Sequence, residues 1–222
     1  MVSDVTPQGT KAKKITAERG QKVVGMKRSN SRGNITVIAT VNAAGAAMPP
    51  TIIFKGKQMQ AACFCTGDNG VPGATYTATN SSYMQGMVFV SLLKEFDHHV
   101  GASGFKDGNS HILALDGHAS HVNLQVVELA MPLTIELFQF PSHFSHLAQP
   151  LDVTTFATYK KAITSVLTTF GEHHGAKMTV KADMVGVIGQ AWARGAKVSQ
   201  MKTSFQGAGL RPVNMQRALD WL

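Results

Sequence analysis

The sequence predicts an α/β domain in which a mixed β-sheet carries helices on both faces. Three observations carry that expectation. Short segments rich in β-branched or alternating apolar residues recur along the chain, at Asn34–Val41, Ala46–Phe54, Ile112–Leu115 and Leu133–Phe140. Stretches with apolar residues three and four apart lie between and after them. Finally, 222 residues with 44% hydrophobic content can bury one sizeable core, and no clear linker divides the chain.

The elements run in order along the chain. NITVIATV (34–41) reads as a strand, Asn42–Gly45 as a turn, and Ala46–Phe54 as the returning strand of a hairpin. Pro49 and Pro50 belong at a sheet edge or an irregularity, because proline donates nothing to a ladder. Lys55–Ser82, broken by glycines and polar residues, reads as a loop. Met84–Val100 has the spacing of a helix packed on a sheet, with its methionines filling core gaps. Ile112–Leu115 is expected as a central strand, Val122–Ala130 as a short helix and Leu133–Phe140 as a parallel strand, which together make a βαβ unit. A long helix runs from Pro150, with Phe156, Tyr159, Ile163, Val166 and Phe170 on one face. Met184–Lys197 is a further helix, and Ser204–Val213 an irregular closing segment. His98-His99 and His173-His174 sit where imidazoles meet helix C-termini.

Charge gives the strongest bulk signal. The formal net charge is +8 and the pI about 9.6, a balance that favours polyanionic partners. Lys11, Lys13, Lys14, Arg19, Lys22, Lys27, Arg28 and Arg32 crowd one run against Glu18 alone, so residues 1–33 form a basic segment. Arg194, Lys197, Lys202, Arg211 and Arg217 form a second. Either run alone is an ordinary solvated surface; two runs flanking a pair of acids suit contact with phosphate backbones. Few aromatics accompany them, which argues against base stacking. No apolar run reaches the length of a membrane span, and no signal peptide is evident at the start. Cys63 and Cys65 lack companions for a zinc set and read as reduced thiols of a protein that is not secreted.

The chemistry-bearing stretch is Ser110–Lys161. Asp116 ends the first strand of the βαβ unit in Asp116-Gly117-His118-Ala119-Ser120-His121, and Asp152 opens the long helix in Gln149-Pro150-Leu151-Asp152. An Asp-Gly pair after a strand is commonly a turn, and an Asp in a first helical turn commonly meets the helix dipole. With His118, His121, His143 and His146 crowding the same ends, a shared site becomes the stronger reading. Strand C-termini are where open α/β sheets keep their sites, and two carboxylates suit hard divalent cations.

The strings LALDGHASHVN and PSHFSHLAQPLDVTTFATYKK resemble the DDE superfamily endonuclease domain of mariner/pogo-type transposases, shared by jerky-like and centromere protein B-like relatives. Lys14–Gly25, Gly33–Gly56 and the closing SFQGAGLRPVN look like family segments as well, so the likeness covers nearly all of residues 1–222. The resemblance implies a ribonuclease H-like fold whose first strand is truncated in this sequence. It also implies a Mg2+ or Mn2+ two-metal site held by Asp116 and Asp152. Gly117 stands where the family usually has Asn. The family's first acid lies in a string that Met1–Thr6 does not match, which leaves Asp4 as the candidate third acid. His118, His121 and Gln149 are expected to support the site, His118 and His121 either by orienting water or carboxylates or by stabilising the turn. Lys11, Lys13, Lys14, Lys22, Lys27, Arg28, Lys160 and Lys161 are expected on nucleic acid.

The function implied is metal-dependent cleavage of a DNA phosphodiester and strand transfer, in the nucleus, with DNA and a second copy as partners and neither a membrane nor a small-molecule cofactor. The alternative is a non-catalytic relic that keeps the fold and basic surface to bind nucleic acid or protein. A phosphohydrolase of small phosphoesters fits least, since no glycine-rich phosphate loop is present.

Overall fold

The alternation in Ile35-Thr-Val-Ile-Ala-Thr-Val41 feeds two cores from a single strand, β2 (Ile35–Val41). The computed structural model describes residues 2–5, 19, 33–59, 69–103, 108–116, 121, 123–141, 148–174 and 179–219, with only the backbone for 2–5, 218 and 219. β2 turns back at Asn42, whose Oδ1 accepts the Ala46 N–H at 2.9 Å. Gly45 completes the turn at φ +90°, where a Cβ would meet Val198 at 2.7 Å. β3 (Ala47–Lys55) then pairs antiparallel with β2, and the register shifts between Ile38 and Thr40, opposite Pro49 and Pro50. The prolines thus fall at an irregularity, as their missing N–H requires.

One expectation needs correction in this half. The stretch Lys55–Ser82 is not all loop, because Thr75–Thr79 forms β4 and pairs parallel with β3. Its alternating Thr-Tyr-Thr-Ala-Thr favours a pleated strand, a signal masked by the neighbouring Pro72-Gly73. The first strand is short, as expected. Val2–Val5 forms β1, antiparallel to β2, with Asp4 opposite Thr36. The sheet order is β1-β2-β3-β4.

A separate parallel pair comes after α1 (Gly86–Ala102): β5 (His111–Leu115), α2 (Leu124–Ala130) and β6 (Ile135–Gln139) are the expected βαβ unit. α2 starts where the Asn123 side chain accepts the Val126 N–H at 2.9 Å, a helix N-cap. Among the described residues β5 pairs with β6 alone, so β5 is an edge strand here rather than a central one. A π-turn at Leu151–Thr155 leads into α3 (Phe156–His173), and α4 (Asp183–Gly195) comes next. α5 (Val198–Gly207) takes in Ser204–Gly207, part of the segment expected to be irregular, and α6 (Gln216–Leu219) closes the described chain.

Helices cover both faces of the β1–β4 sheet. Ile35, Val37, Ile52 and Phe54 pack with Phe156, Tyr159, Ile163 and Val166 of α3 and with Met184, Val185, Ile188 and Ala191 of α4. Ile38, Met48 and Ile53 on the opposite face pack with Phe89, Leu92 and Leu93 of α1, Leu113 and Leu115 of β5, Ile135 of β6, and Val126 and Ala130 of α2. Each large apolar side chain fully buried this way is worth about 1.5–3 kcal/mol, so α3 is held mainly by its apolar face. His174 Nδ1 lies 2.9 Å from the Phe170 carbonyl at the end of α3, as expected of an imidazole at a helix C-terminus.

The closeness of α3 and α4 depends on a missing side chain. A Cβ at Gly195 would lie 2.9 Å from Tyr159 Cα, backbone that cannot rotate away, whereas a Cβ at Gly171 of α3 would meet nothing within 4 Å. Thermal or urea unfolding should therefore separate two formally identical changes. Gly195→Ala should cost about 1–3 kcal/mol as overpacking, and Gly171→Ala should be neutral or stabilise by about 0.5–1 kcal/mol through helix propensity. Equal effects would refute this account of the α3–α4 contact.

Candidate active site at the carboxyl end of β5

Asp116 comes directly after the last residue of β5, whose end is fixed by the Phe140 N–H donating to the Leu115 carbonyl at 2.9 Å. Its Oδ1 lies 2.7 Å from His121 Nδ1. The imidazole is 2% exposed and the Asp116 side chain 26%. Phe89 of α1 packs on the same imidazole, with ring centroids 4.6 Å apart. His121 is therefore wedged between the apolar core and the carboxylate, and it holds Asp116 from the buried side.

Asp152 rides on the π-turn. Pro150 precedes it in helical conformation, and the Phe156 N–H reaches the Leu151 carbonyl five residues back. Gln149 sets the start, its carbonyl accepting the N–H groups of Asp152 and Val153 at 3.1 and 3.2 Å. The Gln149 side chain is buried, and its Nε2 has no hydrogen-bond partner among the described residues. A π-turn is uncommon and recurs at functional sites. Here it is pinned from two directions. Leu151, Phe156 and Tyr159 enter the core under the sheet, and Thr155 shares a buried 2.7 Å hydrogen bond with Ser204 of α5. Neither the π-turn nor the Thr155–Ser204 link was expected from sequence, because nothing in the local string distinguishes a π-turn from an ordinary first turn.

The two acids sense one another. Partial burial raises the Asp152 carboxyl above its ordinary range, the Asp116 charge raises it further, and Lys160 pulls it down. Asp152 still presents surface to solvent. Lys160, eight residues along and expected at phosphates or water, thus lies within electrostatic reach of the carboxylate; Lys160 and Lys161 are both exposed. Arg194, Lys197, Lys202, Arg211 and Arg217 are exposed as well, and Arg217 donates to the Gly207 carbonyl at 3.2 Å.

The remaining expected residues are placed only in part or lie outside the described residues. Asp4 is placed by its backbone alone, within β1. Lys11, Lys13, Lys14, Lys22, Lys27, Arg28, Arg32, Cys63, Cys65, His118, His143 and His146 lie outside the described residues. Among the described residues, no three or more His, Cys, Asp and Glu side chains gather into a metal-binding group. Asp116 and Asp152 do offer the carboxylate oxygens that a hard cation takes, and Mg2+ commonly uses one or two protein carboxylates and completes its shell with water and phosphate.

A family model described as DDE superfamily endonuclease matches residues 32–205, a span that includes both acids. Among curated proteins, the Cochliobolus lunatus protein named MFS-type transporter clz9 is 29% identical over 189 residues, or 85% of this chain and 20% of that protein. The chain thus spans one-fifth of that relative's length. Among the described residues no helix is long and apolar enough to cross a membrane. The Mos1 mariner paired-end complex with Mn is similar in structure, with TM-score 0.56, 13% identity, and coverage of 95% of this chain and 52% of that one. The Mos1 transposase paired-end complex with left transposon end gives TM-score 0.52 at 12% identity, covering 96% and 54%. These likenesses establish the ribonuclease H-like fold.

The raised Asp152 carboxyl gives a signed pH prediction. A carboxyl raised on folding opposes the folded state once ionised, so its stabilising contribution is complete below the unfolded value near 3.8 and is lost as pH rises through the higher folded value. Without divalent metal, Asp152→Asn should unfold at a higher temperature than the parent chain at neutral pH. That gain should shrink as pH falls toward 3.8. Thermal melts across this window check it, and a gain independent of pH would contradict the partial burial, with the Asp116 charge added, that raises this carboxyl.

Proposed function

The chain belongs to the DDE superfamily endonuclease family, and from that premise we propose that it is the catalytic domain of a transposon-derived DNA endonuclease. The reaction is hydrolysis of a DNA phosphodiester, with the freed 3′ hydroxyl then joined to target DNA. The observation that carries this reading is the pair Asp116 and Asp152, set at a strand end and on a π-turn, with the charge of Asp116 felt at the Asp152 carboxyl.

Asp116 and Asp152 would hold Mg2+ or Mn2+, which when bound supplies Lewis-acid stabilisation of charge at the phosphodiester. The chain's own residues do the positioning. His121 steadies the Asp116 carboxylate from the buried side. Gln149 and the Thr155–Ser204 link fix the turn that aims Asp152. Lys160 offers a cation to a phosphate beside the acids, and Lys161, Arg194, Lys197 and Lys202 extend that basic surface outward. Lys11, Lys13, Lys14, Lys22, Lys27 and Arg28 of the 1–33 segment extend it along the polyanion, and Asp4 of β1 is the candidate third acid. DNA as the partner is supported by the DNA-bound Mos1 complexes, and a homodimer acting in the nucleus completes the proposal. A second reading, binding without cleavage, is favoured by the string around Asp4, which does not match the family's first-acid string.

Nicking of supercoiled plasmid in Mg2+ or Mn2+ decides between the two. The parent chain should nick, and Asp116→Asn and Asp152→Asn should each lower the rate at least about 100-fold, a loss of roughly 2.7 kcal/mol of transition-state stabilisation, while DNA binding stays salt-sensitive and intact. Salt-sensitive binding without nicking by the parent chain would leave the non-catalytic reading. Nicking undiminished in both variants would remove these acids from the chemistry.

A further inference from the structure

From Met184 to Leu219 the chain has no Asp or Glu, while Arg194, Lys197, Lys202, Arg211 and Arg217 all carry positive charge. Within that stretch every residue from Leu210 to Arg217 is exposed. Val213 and Met215 are the extreme cases, at 81% and 75%, and Leu210 adds a third large apolar side chain in solvent. Single exposed apolar residues are ordinary. Three so close together, set among arginines, mark a surface built for contact.

The backbone of this segment is held firmly. The Leu210 and Arg211 N–H groups both donate to the Phe205 carbonyl of α5, at 3.0 and 3.3 Å, and the Asn214 N–H returns to the Gly209 carbonyl at 2.8 Å. A bridge joins Leu210 to Val213. Gly209 permits the return: its φ is +70°, and a Cβ there would lie 2.6 Å from the Asn214 carbonyl oxygen. Asn214 Oδ1 then accepts the Gln216 N–H at 3.1 Å, and the Arg217 guanidinium reaches back to the Gly207 carbonyl. The result is a fixed turn that keeps its apolar side chains out of the core.

That turn is fastened to the element that carries Asp152. A Cβ at Gly207 would lie 2.9 Å from Val153 Cγ1, so α5 ends against the residue next to Asp152. One helical turn earlier Ser204 holds Thr155. On the other side of the acid, Pro150 and Leu151 line the same cavity as Leu210 and Arg211.

We propose that the 210–215 turn is a wedge for duplex DNA. Arg211 and Arg217 take backbone phosphates, and Val213 and Met215 enter between neighbouring base pairs of the duplex held at Asp116 and Asp152. Aliphatic side chains suit this use without aromatic help, because they part a base step rather than stack on a base. Charge selects DNA over another copy of this chain, since a stretch without acids attracts a polyanion and repels a protein of net charge +8. The inference rests on the DNA-cleavage reading for its partner and adds a distortion of the substrate. The wedge is anchored one residue from Asp152, so the parted step and the acids meet one stretch of duplex.

Insertion costs less where a duplex is already disrupted, and that difference is the readout. Binding is measured by fluorescence anisotropy in EDTA, so that no cleavage intervenes, on a matched duplex and on the same duplex carrying an unpaired, bulged nucleotide. The parent chain should prefer the bulged duplex at least about tenfold. Val213→Ser/Met215→Ser changes two exposed side chains and should leave Tm unaltered; it should bind both duplexes alike, with unchanged salt dependence. Arg211→Gln should instead weaken both equally and lower the salt slope by about one. Equal binding of the two duplexes by the parent chain, or a preference that survives in the double variant, overturns the wedge and leaves cleavage, read by nicking, untouched. Binding to neither duplex overturns the wedge and DNA as the partner together. A double variant that keeps the preference but no longer self-associates assigns the apolar residues to a contact between copies.

Discussion

The structure depends on β2 being buried on both faces. Ile35, Val37 and Ile38 are each at most 1% exposed, yet they serve different cores, Ile35 and Val37 toward α3 and α4 and Ile38 toward α1 and β5. A strand apolar on both sides cannot end a structure; each face demands a helical layer. The order of layers results from that demand, and so does the intolerance of the α3–α4 contact to a side chain at Gly195. Thr36 is also fully buried within the same strand, opposite the register position of Asp4.

On this frame the two acids are held by separate pieces of the molecule. Asp116 belongs to the β5–β6 pair, and Asp152 to a turn anchored beneath the larger sheet. Their repulsion is eased by the charge of Lys160 and opposed by packing: the imidazole of His121 behind one, and Leu151, Phe156, Tyr159 and the Thr155–Ser204 bond behind the other. Tyr159 shows how much the anchoring can cost, since its hydroxyl is buried without a partner and burial pushes the phenol up. A buried unpaired hydroxyl is unfavourable by itself, and the ring's packing against Trp192, with centroids 5.8 Å apart, offsets it.

Much of this was legible in the sequence because it rests on local periodicity. The apolar spacing of Phe156, Tyr159, Ile163 and Val166 fixed the buried face of α3, and the run Ile112–Leu115 ending at Asp116 gave both a strand and the position of an acid at its end. The strings around Asp116 and Asp152 also brought the two together through their family likeness. The features that stayed hidden are non-local. β4 was concealed because its pairing with β3 is decided by residues twenty or more positions away. The Thr155–Ser204 bond joins residues 49 apart, and periodicity carries no such information. The electrostatic link of Lys160 to Asp152 was open in the sequence only as a lysine two turns along the same helix, which phosphate or water could equally have met.

The seam between the sheets also matters to the site. Asp116 stands at one end of β5, which lines a cavity between the two sheets, while Asp152 belongs to the layer beneath β2, the other wall of that cavity. The separation of the carboxylates therefore depends on how rigidly β2 and β5 are coupled. Among the described residues that coupling runs through side chains of α1 and the core around Ile38 and Leu113. Side-chain packing tolerates small slides between elements, whereas a backbone ladder fixes register one residue at a time.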